Sequence, residues 1–215
     1  MAGHPGASDE KGIARGCGRG CFSHRSTEIA LMFDRGASPR EVILEACRRD
    51  NTSLLEEALA DLAKEAKTTG KKEKEHVAQT LNKAADGVGN GCLHIAATYG
   101  SYDILDVLLD QEGVEIDNVD RMEHDTPLHK AVRYVNSLDK SDWESAGHPI
   151  VDILLDAGCD PRIRNKAKLK PLELVDPRNT VLRAELQKAE YAMNAGGDVV
   201  ADDDDGPTGS ASDSD

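Results

Sequence analysis

Apolar residues recur at helical spacing through the middle of the chain. Ser38 and Pro39 favour the cap and the first position of a helix. The first predicted helix then buries four apolar residues: Val42, Ile43, Ala46 and Cys47. Asp50-Asn51 interrupts this pattern, and a second apolar stripe follows at Leu54, Leu55, Ala58, Leu59 and Leu62. The ordered part of the chain is therefore predicted to begin with a pair of helices.

The same two-helix unit returns later in the chain. Residues 91–96 align with residues 126–131 at an offset of 35, and residues 104–110 align with residues 150–156 at an offset of 46. The difference between the two offsets predicts an 11-residue insertion between the helices of the later unit. This insertion lies near residues 135–146. The pattern therefore indicates a repeat protein built from helix pairs.

One repeat carries a family signature. Residues 126–131, Thr-Pro-Leu-His-Lys-Ala, match the ankyrin motif T-P-L-H-x-A at every specified position, and residues 158–161 resemble the turn that ends an ankyrin repeat. The chain thus resembles the ankyrin-repeat family over about residues 38–194. The resemblance implies an all-α solenoid of three to four helix-turn-helix repeats. It also implies that His94 and His129 form hydrogen bonds within and between repeat turns.

Composition divides the chain into three parts. Residues 1–37, rich in Gly, Arg and Ser, and residues 195–215, with seven Asp and no base, are both predicted to be disordered. The ankyrin domain spans the remaining residues, and its predicted parts are a cap repeat 38–62, a charged insertion 63–85, repeats 86–119 and 120–164, and a C-terminal cap repeat 165–194. The charged insertion is interpreted as a solvated helix or loop, either a plain linker or a docking surface.

The charge of the chain excludes some classes of partner. It has 40 acidic and 26 basic residues and a formal net charge of −14, whereas nucleic acids and anionic membranes attract a basic surface. No apolar run approaches the roughly 18–20 residues that span a bilayer. Five irregularly spaced cysteines do not predict a disulfide framework, and reduced thiols fit a protein of the cytoplasm, the nucleus or both.

The sequence gives only weak signals for a catalytic or a metal-binding site. Cys17, Cys21 and His24 resemble half of a metal site without the other half, and Cys92 with His94 belongs to the repeat pattern. No nucleophile elbow or phosphate-binding loop is present. We therefore predict no metal, no cofactor and no enzymatic activity.

Ankyrin proteins bind partners with their concave surface, which the turn tips and the first helix of each pair form. Matched by position, the resemblance implies that the partner-binding residues are Asn90, Thr98, Tyr99, Met122, Glu123, Asp125, Arg133, Tyr134, Lys166 and Lys168. Tyr99 and Tyr134 would form a binding stripe or would only shield helix ends. Trp143, in the insertion, would be either an exposed interface anchor or a residue that packs the loop onto its own repeat.

A solenoid without a catalytic constellation is expected to be a protein–protein interaction scaffold. The net charge and the acidic tail predict a basic partner, bound by a monomer without direct nucleic-acid or membrane contact. Size, repeat number and the acidic C-terminus resemble ankyrin chaperones that escort a small-subunit ribosomal protein. The alternatives are an assembly or inhibitory factor, like ankyrin chaperones of the proteasome base or inhibitors of cyclin-dependent kinases, and an enzyme with ankyrin-like packing.

Overall fold

A computed structural model describes residues 37–195, and these residues form nine α-helices. The helices are α1 (Pro39–Arg49), α2 (Thr52–Thr69), α3 (Glu73–Lys83), α4 (Cys92–Tyr99), α5 (Tyr102–Leu109), α6 (Pro127–Ser137), α7 (His148–Asp156), α8 (Pro171–Leu174) and α9 (Thr180–Ala195). Extended structure in these residues is limited to one isolated bridge between Ala85 and Gly91. The predicted all-α class is confirmed. The two predicted disordered segments lie outside the described residues, except for Ala37 and Ala195.

Local sequence signals set the ends of the helices. Ser38 caps α1 in a reciprocal capping box, in which the Glu41 amide donates to Ser38 Oγ (3.4 Å) and the Ser38 amide donates to Glu41 Oε2 (2.9 Å). α2 and α4 end at Gly70 and Gly100, each with a φ of 69°, where a residue without Cβ avoids strain. Capping residues and left-handed glycines thus end the helices at defined positions and divide the chain into short helical hairpins.

The helices pack as two layers. In the inner layer α1 contacts α4, α4 contacts α6 and α6 contacts α8, while in the outer layer α2, α5 and α7 follow one another in the same order. The core between the layers is aliphatic, and its largest fully buried apolar side chains are Ile43, Leu55, Ile104, Leu105, Leu108, Leu128, Ile150, Leu154, Leu182 and Leu186. Each helix pair covers the apolar face of the next, which is the packing of a solenoid.

The charged insertion contains a packed helix. α2 continues to Thr69, past the predicted boundary at residue 62, and α3 buries Val77, Ala78 and Leu81. At the end of α3, the Asn82 amide donates to the Gly113 carbonyl (3.0 Å), and its carbonyl oxygen accepts from the Glu115 amide (2.9 Å). The insertion therefore belongs partly to the core.

The second insertion folds back onto its own repeat. A 3₁₀ turn (Lys140–Asp142) and a π-helical turn (Trp143–Gly147) connect α6 to α7. Trp143 is only 9% exposed, and its indole N–H donates to the Leu138 carbonyl (3.2 Å). The expectation of an exposed interface anchor at Trp143 is wrong. A large apolar ring that also finds a hydrogen-bond acceptor is more stable packed against the loop than in water. In residues 37–195, no helix has the length and apolar character to cross a membrane.

Candidate functional site

Three hairpin loops project from the inner layer, one before each of α4, α6 and α8. We call them finger 1 (residues 84–91), finger 2 (residues 117–126) and finger 3 (residues 160–170). In each finger a backbone amide donates to a carbonyl across the turn at 3.0 Å: Asp86 to Asn90, Asp120 to Asp125, and Asn165 to Leu169. These bonds close each loop into a defined hairpin, so that the side chains at its tip have fixed positions.

Two buried histidines hold the fingers in line. His94 Nε2 lies 2.9 Å from the Asp125 carbonyl oxygen on finger 2, and His129 Nε2 lies 3.1 Å from the Leu169 carbonyl oxygen on finger 3. A carbonyl only accepts, so Nε2 carries the proton in each ring. Nδ1 then accepts a backbone N–H at 3.2 Å, from Gly91 in the first ring and from Thr126 in the second. Each histidine therefore links the start of its own helix to the next finger.

Burial keeps both histidines neutral. Desolvation of the ring lowers the pKa of His94 and of His129, and it outweighs the bonds to Asp125 and Leu169, which act in the opposite direction. In the last repeat Glu173 stands where the histidine would be, and its Oε2 accepts the Lys170 amide at 2.8 Å. The Glu173 carboxylate thus accepts the backbone N–H that the histidine Nδ1 accepts in the other repeats, but among the described residues it forms no bond to a further finger.

A buried polar cluster joins fingers 2 and 3. Asp125 is 0% exposed, and it accepts from Asn165 Nδ2 and from Arg133 Nε, each at 2.9 Å. Lys130 Nζ lies between Asp125 (3.3 Å) and Asp120 (2.6 Å). Burial alone would raise the pKa of Asp125, but the bonds from Asn165 and Arg133 and the nearby positive charges hold this pKa below its usual range. The expectation that Asp125 contacts a partner is wrong, because its carboxylate is buried and bonded within this internal cluster.

The other predicted contact residues differ in how far they reach the solvent. Tyr99 and Met122 are the exposed apolar members, at 58% and 55%. The exposed polar members are Thr98, Glu123, Lys166 and Lys168, and the half-buried ones are Asn90 and Tyr134. Arg133 is exposed along its side chain but bonded to Asp125. The exposed part of the predicted contact surface thus lies on the fingers and the inner helices, and Asp125 and Trp143 are not part of it.

The two predicted tyrosines belong to successive inner helices, Tyr99 to α4 and Tyr134 to α6. The Tyr134 ring from α6 covers Gly100, where an added Cβ would stand 2.1 Å from Tyr134 Cζ. Gly100 directly follows Tyr99 in the chain, so the Tyr134 ring packs against the residue next to Tyr99. Val88, Val119 and Leu169 also expose apolar side chains, one or more on each finger. Sequence reasoning missed these three because they lie in turns, where helical periodicity gives no signal.

A small polar cavity of about 180 Å³ lies between fingers 1 and 2, and its lining includes Asn82, His94, Asn118 and Arg121. In the described part of the chain, no three His, Cys, Asp or Glu side chains come together as a possible metal site. The candidate half-site at Cys17, Cys21 and His24 lies outside the described residues. Burial and the charge of Asp117 raise the pKa of Cys159 to about 12, so this thiol is a packing residue.

Comparison with known proteins agrees with this architecture. Residues 43–165 match the family model for ankyrin repeats in three copies. An ankyrin repeat-containing protein of Saccharomyces cerevisiae is 37% identical over 186 residues, which cover 82% of this chain and 95% of the yeast protein. The name of that relative records its repeats and no client.

Proposed function

Because the chain belongs to the ankyrin-repeat family, an interaction module without catalytic chemistry of its own, we propose that it is a dedicated binding protein or chaperone for a basic protein. The observation that carries the proposal is the row of uncovered apolar side chains on the fingers and inner helices. Tyr99 and Met122 are the most exposed of them. Aromatic residues and methionine are enriched in protein interfaces and depleted from surfaces that only face water. The family and this surface together favour a protein partner.

The charge of the chain supports a basic client. Asp106 on α5 and Asp110, the residue that caps the end of α5, occupy the same repeat positions as Asp152 and Asp156 on α7, and all four are exposed. None of the four has an ion-pair partner among residues 37–195. Together with the seven Asp of residues 195–215, they give a negative potential that would speed capture of a basic protein. A ribosomal protein is the first candidate, because such clients need their basic surfaces screened before assembly.

The remaining parts of the proposal follow from the same features. The protein acts as a monomer, in the cytoplasm, the nucleus or both, and it has no enzymatic activity. It does not contact nucleic acid directly, since its net charge repels phosphate. The acidic tail would cover the client's basic surface while the fingers hold a helix or an extended segment.

Affinity purification with matched variants tests the proposal. Tagged wild type and the Tyr99→Ala/Met122→Ala double variant are compared at low ionic strength, with Tyr191→Ala as the control. Tyr191 is 75% exposed on α9 and is not one of the predicted contact residues, so its replacement removes an exposed ring without touching Tyr99 or Met122. We expect a basic protein in the wild-type and control samples and a loss of about tenfold or more in its affinity for the double variant.

Three other results would contradict this. Recovery of proteasome ATPase subunits or of kinases in place of a basic protein would favour an assembly or inhibitory factor. Equal capture by all three proteins would show that the surface around Tyr99 and Met122 is not the binding site. Turnover of a small-molecule substrate by the pure chain would support the enzyme alternative.

A further inference from the structure

Finger 3 is strongly basic in an acidic protein. Five cationic side chains alternate along it: Arg162, Arg164, Lys166, Lys168 and Lys170. Between residues 161 and 172 there is no acidic residue. This local charge attracts an acidic ligand, in contrast to the negative net charge of the whole chain.

Only part of this charge is balanced locally. Arg162 pairs with Asp160 (2.9 Å), Arg164 with Glu173 (3.3 Å), and Lys170 with Glu190 (3.2 Å). Lys166 and Lys168 are exposed, and within residues 37–195 no carboxylate lies within ion-pair distance of either ammonium. Two adjacent cations at the tip of the finger thus remain available to an anionic ligand.

Apolar side chains flank these two lysines. The Lys166 amide donates to the Glu123 carbonyl (2.8 Å), and Lys166 Nζ donates to the Met122 carbonyl (3.3 Å), so the tips of fingers 2 and 3 touch. Met122 and Leu169 both expose apolar side chains beside this contact. Glu123 contributes one exposed carboxylate to the same edge. The surface therefore suits a segment that combines several acids with small apolar residues.

We propose that this surface binds residues 198–205 of the same chain, Asp-Val-Val-Ala-Asp-Asp-Asp-Asp, which we call the acidic segment. Its aspartates complement Lys166 and Lys168, and Val199 and Val200 complement the exposed Met122 and Leu169. A ligand tethered in this way binds at a high effective concentration, so weak individual contacts suffice.

The end of α9 places the acidic segment within reach. Arg162 Nη1 donates to Asn194 Oδ1 (3.2 Å), so the chain leaves the described domain at the base of finger 3. Four residues separate Arg162 from Lys166, a span of at most about 14 Å. Asp202 follows Asn194 by eight residues and can reach about 28 Å when extended. The tether is therefore longer than the distance it must cover.

Cross-linking of the full chain with a water-soluble carbodiimide tests this contact. The reagent joins a carboxylate to an ammonium as an amide, and the water lost converts the carbodiimide to a urea. At low ionic strength we expect peptides that join Lys166 or Lys168 to the acidic segment within one chain. The yield of cross-links from the acidic segment to the lysines of finger 3 should fall about tenfold near 1 M NaCl, where the Debye length is about 3 Å. In the Lys166→Glu/Lys168→Glu variant, which keeps the amine of Lys170, the cross-links to Lys170 should fall by a similar factor.

A matched control separates specific binding from general attraction. Lys71 and Lys72, between α2 and α3, are equally exposed and are also without an ion pair in the described residues, so Lys71→Glu/Lys72→Glu makes the same charge change elsewhere. This control should keep the cross-links. Lys168→Gln alone should reduce the cross-links at Lys166, whose amine it keeps, and we expect the fold to be retained because the Lys168 ammonium has no partner among residues 37–195.

Three outcomes would overturn the inference. These are cross-links spread equally over Lys71, Lys72 and finger 3, cross-links that join two chains, and a yield that survives charge reversal of finger 3. The experiment contains no client, so its failure would leave the proposed function standing. Conversely, the absence of a basic client in the affinity purification would not affect this contact.

Discussion

A glycine pair with the same backbone angle provides a sharp test of the tyrosine surface. Gly70 and Gly100 both have a φ of 69°, but an added Cβ at Gly70 would meet nothing within 4 Å, whereas at Gly100 it would stand 2.1 Å from the Tyr134 ring. Replacing each glycine by alanine therefore imposes the same backbone strain in two different surroundings. Only the Gly100→Ala change also displaces an aromatic side chain.

The expected magnitudes differ for this reason. A left-handed alanine costs roughly 1–2 kcal/mol, of which about 0.4–1 kcal/mol is offset because alanine restricts the unfolded chain. Gly70→Ala should therefore destabilise by about 1 kcal/mol. At Gly100 the overlap forces Tyr134 out of its packed position, which adds about 1–3 kcal/mol. We expect a total of about 2–4 kcal/mol for Gly100→Ala.

Urea unfolding followed by circular dichroism measures both variants, with Trp143 fluorescence as a second probe in the repeat that holds Tyr134. A double-mutant cycle with Tyr134→Ala isolates the overlap. With the ring removed, Gly100→Ala should cost no more than Gly70→Ala. Equal effects of the two glycine variants in the wild-type background would refute the reasoning, because Tyr134 would then move aside without loss.

Three further predictions concern buried groups. His129→Leu should cost about 2–4 kcal/mol of stability, since it leaves the buried Thr126 amide without an acceptor. Because the pKa of His129 is lowered in the folded state, the wild type should lose stability as the pH falls from about 7 towards 5. Urea unfolding at several pH values should show a smaller loss in the variant. Asp125→Ala should cost about 3–5 kcal/mol of stability, because it removes the partner of Asn165 and of the nearby cations. Since the pKa of Asp125 is lowered in the folded state, its contribution to stability should be present above about pH 4 and be lost below it. Unfolding measured along an acid titration checks this. Cys159, with its pKa raised to about 12, should resist alkylation in the native protein, and peptide mapping that finds rapid modification would contradict its burial.

The sequence by itself determined the repeats and their helices. Capping residues such as Ser38 and Thr126 and left-handed glycines such as Gly100 act over a few neighbours, so their effect can be predicted locally. The ankyrin signature also predicted that His94 and His129 form hydrogen bonds within and between repeat turns, and His129 bonds to its own helix start as well as to the next finger. These features depend on the spacing of residues along the chain, which can be read directly from the sequence.

Only the tertiary structure decided which polar and aromatic residues reach the solvent. Asp125 and Trp143 resemble surface residues in the sequence, but partners from distant positions enclose them. Asn165 is 40 residues from Asp125, and no local pattern predicts their contact. In the same way, the bond between Arg162 and Asn194 brings the end of the last helix to the basic finger. Burial and charge pairing depend on what folding brings together, and therefore the exposed residues of the candidate surface could be identified only in three dimensions.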